Sequence, residues 1–217
     1  MGIVVGVDEA GRGPTLGPLV VAGAAIDEKD LDKLRKIGVK DSKLLTPKRR
    51  EEMFDQIKEA LQDYKIIITQ PKEIDAAIFS ETSNLNILET EKFAMAINYL
   101  KPSRVIIDCP SVNTVKYKEH IRTYLKGKIN IVCEHKADTK YEIVAAASIL
   151  AKVIRDREIE ELKKRYGVDF GSGYPADPKT KEFLANNWKK YPDLFRKSWA
   201  SYKNVAGEKS QSKLEDF

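Results

Sequence analysis

Histidine and cysteine are scarce in this chain, with two of each among 217 residues. His120 and His135 are too few for a His-rich zinc centre, and two thiols cannot build a disulfide framework. Cys109 and Cys133 each follow or end an apolar run and read as buried reduced thiols, a single bridge between them staying open. No stretch reaches the ~18–20 apolar residues of a membrane span. The N-terminal apolar run has no basic region before it and already carries Asp8, so no signal peptide is expected. The expectation is a cytoplasmic, monomeric protein without a membrane partner. Nucleotide signatures are missing too. "GRGPTLG" lacks the Lys-Ser/Thr of a P-loop, no GxGxxG follows a strand, and "GSG" at 171–173 is not the GxSxG of a nucleophile elbow. There is no internal repeat.

What the chain does have is charge: 33% of its residues are charged and 42% hydrophobic, which suits a soluble globular protein. At this length, folding buries roughly 70% of the unfolded surface, so neither metal nor disulfide is needed for stability. The net charge of +5 is unevenly spread, for residues 150–203 hold 13 Lys/Arg against 8 Asp/Glu. Such asymmetry fits a face that meets a polyanion.

Five apolar runs read as strands, at about 3–8, 18–26, 64–70, 104–108 and 129–134. Several are continuously apolar, the pattern of strands covered on both faces. Helical patterns separate them. One follows Thr46-Pro47, a cap and a first helical residue. Others cover Asn86–Leu100 and about Val112–Lys126. The longest starts near Lys140, where Thr139 and Glu142 have capping-box spacing and leave Asp138 just before the helix. The Ala145–Ala147 run suits close packing on a sheet, and further helix carries Trp188 and Trp199. From Asn204 the chain reads as a polar tail. The fold class is α/β.

Two of these strands end on acids: "GIVVGVDE" delivers Asp8 and Glu9, and "RVIIDCP" delivers Asp108. Sites in open α/β sheets lie beyond the carboxyl ends of strands, so the acids of parallel neighbours converge. Asp138, past the fifth strand, is a fourth candidate. Because strand side chains alternate, Asp8 and Glu9 reach one site only if the chain bends, which Gly11 and Gly13 permit. Clustered carboxylates repel unless a cation joins them. An all-oxygen donor set favours Mg²⁺ or Mn²⁺, ions that act on phosphates.

Five segments, "VDEAGRGPTLGPLVVAGAAI", "GVKDSKLLTPKRRE", "VIIDCP", "HKADTKYEIVAAASILAKVIRD" and "GSGYPADPKT", resemble in order type 2 ribonuclease H (ribonuclease HII) in its archaeal form. The resemblance spans about residues 2–200. It implies a ribonuclease H-like fold, a five-stranded mixed sheet flanked by helices, with a C-terminal helical subdomain. Residues 1–203 would form one catalytic domain, with a core to about 155 and the subdomain over 156–203. It further implies Mg²⁺- or Mn²⁺-dependent hydrolysis of RNA paired with DNA, including single ribonucleotides embedded in duplex DNA, leaving 3′-hydroxyl and 5′-phosphate ends. The metal-binding and catalytic acids fall on Asp8, Glu9, Asp108 and Asp138. The backbone of Gly11, Arg12 and Gly13 is expected to contact the ribose 2′-hydroxyl. Tyr174 would pack on the junction deoxyribose, and Lys43 would touch a phosphate, with a solvated lysine as its competing reading. Thr15 and Leu44 depart from residues common in relatives and bear only on fine substrate preference.

The end of the chain, "QSKLEDF", fits Gln-x-x-Leu-x-x-Phe and resembles a sliding-clamp-binding peptide through Gln211, Leu214 and Phe217. A role in DNA replication and repair follows from that likeness. Two rivals remain: another nuclease of the same fold, which would not need a 2′-hydroxyl, and a non-catalytic hybrid-binding adaptor recruited by its tail.

Overall fold

A computed structural model of the chain describes residues 2–41 and 45–215, Asp41 and residues 208–215 by their backbone alone. The strands are β1 (Ile3–Ala10), β2 (Leu19–Asp27), β3 (Asp63–Thr69), β4 (Arg104–Asp108) and β5 (Asn130–Glu134). The helices are α1 (Leu31–Ile37), α2 (Pro47–Ala60), α3 (Pro71–Phe79), α4 (Leu85–Leu100), α5 (Thr114–Arg122), α6 (Ala137–Lys140), α7 (Glu142–Tyr166), α8 (Pro178–Asn187) and α9 (Ala200–Glu215). They form two compact units. One comprises Met1–Ala10, Val20–Ile68 and Asn86–Ile154; the other comprises Gly11–Leu19, Thr69–Leu85 and Arg155–Phe217. The second unit thus joins the C-terminal part of the chain to two segments from earlier in it.

The first unit holds a five-stranded sheet in the order β3-β2-β1-β4-β5. β1 runs antiparallel to β2 from Ile3↔Asp27 to Ala10↔Val20 and parallel to β4, and β4 runs parallel to β5. This is the mixed sheet the resemblance implies. Helices cover both faces, which explains the unbroken apolar strands. Val4, Ala10 and Ile106 join one core with Val144, Ala145 and Leu150 of α7. Val5, Val7 and Ile107 join another with Phe93 and Ile97 of α4 and Ile121 of α5. Gly6 lets α7 come down onto β1, for a Cβ there would stand 2.4 Å from the Ile143 carbonyl carbon.

Local signals set most helix ends. Thr46 Oγ1 accepts the Arg49 N–H at 3.2 Å and Pro47 opens α2, as read from the sequence. α5 is shorter than expected, since Asn113 caps its start and Gly127, at φ 83°, lies in the turn beyond it. The helix expected from Lys140 is divided. Lys136, at φ 55°, opens α6, and the extended Tyr141 separates it from α7. The capping box does not form because both side chains serve elsewhere. Thr139 Oγ1 donates to the Lys136 carbonyl at 2.8 Å, and Glu142 meets Arg35 and Lys40 at 3.1 Å each. The short helices α1 and α3 were not anticipated.

The second unit packs Leu16, Ile159, Phe170, Phe183, Leu184, Leu194 and Phe195 into its own core. Residues 204–215, expected as a tail, continue α9. That stretch has no proline, and half of it (two Lys, two Glu, one Ala and one Leu) is strong helix former. Its one glycine costs about 1 kcal/mol against alanine, too little to end the helix. Gln211 and Leu214 therefore have helical backbone, whereas Lys43 and Phe217 lie outside the described residues. Cys109 is buried, Cys133 is half-buried, and both are free. Among the described residues, no helix is long and apolar enough to cross a membrane.

Candidate active site

β1 and β4 are in register up to Val7↔Ile107, so the next residues, Asp8 and Asp108, stand side by side at the top of two parallel strands. Alternation places both on the face that α7 covers. Asp138 arrives from the first turn of α6, whose leading amide, that of Ala137, donates to Asp108 Oδ1 at 3.1 Å. One carboxylate oxygen from each of Asp8, Asp108 and Asp138 lies within 4.8 Å of the other two. Asp8 and Asp138 are 6% and 2% exposed, so little water screens the group.

The electrostatics follow from that crowding. Burial raises the Asp8 carboxyl to about 6, helped by the negative charge of Asp108 and opposed by a hydrogen bond from Ser148 and the charge of Lys152. The Glu9 N–H donates to Asp8 Oδ1 at 2.8 Å. Lys152 Nζ donates to Ser148 Oγ at 2.7 Å, so Lys152, Ser148 and Asp8 form a chain along one face of α7. Sequence reasoning did not single out Ser148 or Lys152. The available signal was a lone hydroxyl in the apolar run "AAASILA" with a lysine four residues on.

Glu9 is not brought into the group of three. The bend that would carry it there does not occur before Gly11, because β1 stays paired through Glu9↔Val21 and Ala10↔Val20. Glu9 accordingly takes the opposite face, where Glu89 of α4 lies. Burial first, then Asp8, Glu89 and Asp108, hold its carboxyl well above the usual range.

Three close carboxylates, one of them raised first by burial and then by its neighbour Asp108, concentrate negative charge at one place. Its ligand atoms are all oxygen, and neither histidine nor cysteine belongs to the set. That chemistry suits a hard divalent cation such as Mg²⁺ or Mn²⁺ and not zinc.

The second unit carries the other expected residues. Gly11, at φ 81°, begins the Gly11-Arg12-Gly13 loop, and a Cβ there would meet the Pro18 carbonyl oxygen at 2.6 Å. The Tyr174 ring is 41% exposed, with the Arg155 guanidinium 5.2 Å from its centre. Arg155 Nη2 also donates to the Ser172 carbonyl at 2.5 Å, and the Gly173 carbonyl accepts the Thr15 N–H at 2.9 Å. Loop and tyrosine are neighbours: a Cβ on Gly13 would stand 3.9 Å from Tyr174 Cε1.

Comparisons with known proteins agree with one another. The family model described as ribonuclease HII matches residues 5–202. A protein named ribonuclease HII from Pyrococcus furiosus is 50% identical over 98% of this chain and 96% of its own length. The crystal structure of ribonuclease H2 from Pyrococcus horikoshii superposes with a TM-score of 0.86 at 48% identity, covering 95% of this chain and 98% of that one. The structure of a PCNA:RNase HII complex from Archaeoglobus fulgidus gives 0.83 at 40% identity, covering 93% and 96%.

Proposed function

The chain belongs to the ribonuclease HII family, and on that premise we propose that it cuts the RNA strand of RNA–DNA hybrids and nicks duplex DNA on the 5′ side of an embedded ribonucleotide. The observation that carries this reading is the meeting of Asp8, Asp108 and Asp138 at the ends of parallel strands and the start of α6. A non-catalytic adaptor has no use for three carboxylates, two buried and one half-buried, held against their mutual repulsion.

Asp8, Asp108 and Asp138 would hold Mg²⁺ or Mn²⁺, and Glu9, which β1 turns to its opposite face, would join them only if the end of that strand bends. When bound, the divalent ion lowers the pKa of water and offsets the charge that builds on the phosphate. The chain's own groups supply the positioning. The Ala137 amide fixes Asp108, and Ser148 and Lys152 fix Asp8. Water adds to phosphorus as the P–O3′ bond breaks, giving 3′-hydroxyl and 5′-phosphate ends. Gly11, Arg12 and Gly13 read the ribose 2′-hydroxyl through backbone that lacks obstructing side chains, and Tyr174 packs on the neighbouring deoxyribose. Lys43 would touch a backbone phosphate.

The relative solved with PCNA supports a sliding clamp as partner, docked by Gln211, Leu214 and Phe217. A monomer working in the cytoplasm on replication and repair intermediates fits these assignments.

The test is cleavage of a DNA duplex holding one ribonucleotide, with Mg²⁺ or Mn²⁺, beside an all-DNA duplex and the Asp8→Asn variant. A nick 5′ of the ribonucleotide, absent from both controls, is the expected result. Cleavage of the all-DNA duplex would favour a nuclease of the same fold that ignores the sugar. Binding without cleavage of any hybrid would favour the adaptor.

A further inference from the structure

Arg196 is fully buried, yet it donates outward in three directions. Its Nη2 reaches the Gly11 carbonyl at 2.6 Å, its Nη1 the Arg12 carbonyl at 3.0 Å and its Nε the Gly17 carbonyl at 3.0 Å. Trp199 Nε1 takes the Gly13 carbonyl at 3.1 Å. Three successive carbonyls, those of Gly11, Arg12 and Gly13, are thus held by side chains of one turn. Asp75 secures that turn in its place, accepting the Lys197 N–H at 2.8 Å and the Ser198 N–H at 2.9 Å. The Arg196 guanidinium also lies 4.8 Å from the centre of the Trp199 ring.

A planar trans peptide points its C=O and the following N–H in opposite directions. Drawing the Gly11 and Arg12 carbonyls toward the 196–199 turn therefore turns the Arg12 and Gly13 N–H groups away from it. Pro14 offers no N–H, so the loop presents one adjacent pair of amides, next to the exposed Gly13 and near Tyr174. An adjacent amide pair at an open glycine is a fitting receptor for a single sugar oxygen.

We propose that Arg196, with Trp199, is the positioning element for ribose recognition: by holding the carbonyls of the Gly11-Arg12-Gly13 loop it aims the loop's amides at the 2′-hydroxyl. This rests on the functional reading above. A lysine at 196 would keep the charge but cannot reproduce a planar fork that serves three diverging acceptors.

The experiment compares wild type, Arg196→Lys and Trp199→Phe, all full-length. It measures kcat/KM on a duplex with one ribonucleotide and affinity for the all-DNA duplex of the same sequence. Arg196→Lys is expected to lose roughly 10- to 100-fold in kcat/KM, the usual effect of removing a supporting hydrogen bond behind a functional group, with all-DNA affinity unchanged. Trp199→Phe keeps a ring, drops one donor and is expected to lose roughly 3- to 10-fold. Unchanged kcat/KM in both variants would overturn the proposal, as would equal losses of cleavage and all-DNA binding, which mark general structural damage. If Arg196→Lys does not fold, Trp199→Phe decides by the same criteria. A wild-type protein that fails to cut at the ribonucleotide would instead overturn the functional reading.

Discussion

The backbone N–H of Ala137 donates to Asp108 Oδ1 at 3.1 Å, tying the end of β4 to the first turn of α6 and so to Asp138 one residue later. One bond fixes the spacing of two carboxylates that arise 30 residues apart in the chain. It also allows two roles to be told apart within Asp108: one oxygen holds the Ala137 amide, while the proposed metal role needs the charge.

Asp108→Asn tests that separation. The amide oxygen can still accept the Ala137 N–H, so the melting temperature should change little. Cleavage should fall by at least about 100-fold, since loss of a group merely supporting a metal ligand already costs 10–100-fold. A steady-state assay with Mg²⁺ beside a thermal melt checks both halves. An active variant would remove Asp108 from the site.

The crowding around Asp8 has a signature in stability. Its carboxyl stands at about 6 in the folded chain, against an ordinary value of 3.8. The folded state therefore binds protons more tightly than the unfolded state, and stability falls as pH rises from about 4 to about 6 and stays lower above. Glu9, raised by the same causes, adds to the slope. The Asp8 contribution is about 3 kcal/mol. In metal-free protein at pH 7, Asp8→Asn should therefore raise the melting temperature, by about 5 °C if about 2 kcal/mol of that is recovered. Added Mg²⁺ should stabilise wild type more at pH 7 than at pH 5. Melting curves across pH with EDTA or Mg²⁺ read both effects, and a wild type equally stable at pH 4 and pH 7 without metal would contradict them.

The acids at strand ends were legible because an apolar run that stops on Asp is visible without any structure. Asp8 and Asp108 belong to that class, and the parallel pairing of β1 with β4 brings them level. The opposed direction of Glu9 was legible too, from the alternation of a strand. Asp138 was harder, because its position depends on Lys136 adopting φ 55° and on Tyr141 breaking the helix, and no capping pattern encodes either. Arg196 was not legible. Its partners are carbonyls about 180 residues away, and a carbonyl leaves no mark on the sequence.

Gly6 links the core to the site. Alanine there would place its Cβ 2.4 Å from the Ile143 carbonyl oxygen and 2.6 Å from the Val144 nitrogen, backbone atoms that cannot rotate aside. α7 would have to lift from β1, at a cost of about 2–3 kcal/mol. The urea midpoint should fall by about 1 M for an m-value near 2 kcal/mol/M. Because α7 carries Ser148 and Lys152 beside Asp8, cleavage should fall as well. A Gly6→Ala variant with wild-type midpoint and activity would mean that the contact yields without consequence.

The end of the chain can be removed without touching the core. Tyr202 and Val205, early in α9, pack against the second unit's aromatic cluster, and a deletion of residues 211–217 leaves both in place. Cleavage in the absence of a clamp should therefore be unchanged. Clamp binding should weaken by about 30-fold or more, because apolar anchors such as Leu214 and Phe217 carry most of the energy in interfaces of this kind. The backbone of Gln211 and Leu214 is helical, so docking that needs an extended peptide must first unwind the helix end. Proline at Ser212 separates these possibilities. It disfavours helix at a cost of about 3 kcal/mol, so it should leave affinity intact or improve it if the peptide docks extended, and abolish it if the peptide docks as a helix. Calorimetry with purified clamp, on wild type, the deletion and Ser212→Pro, gives the answer, and equal affinity in wild type and the deletion would show that the tail is not the clamp ligand.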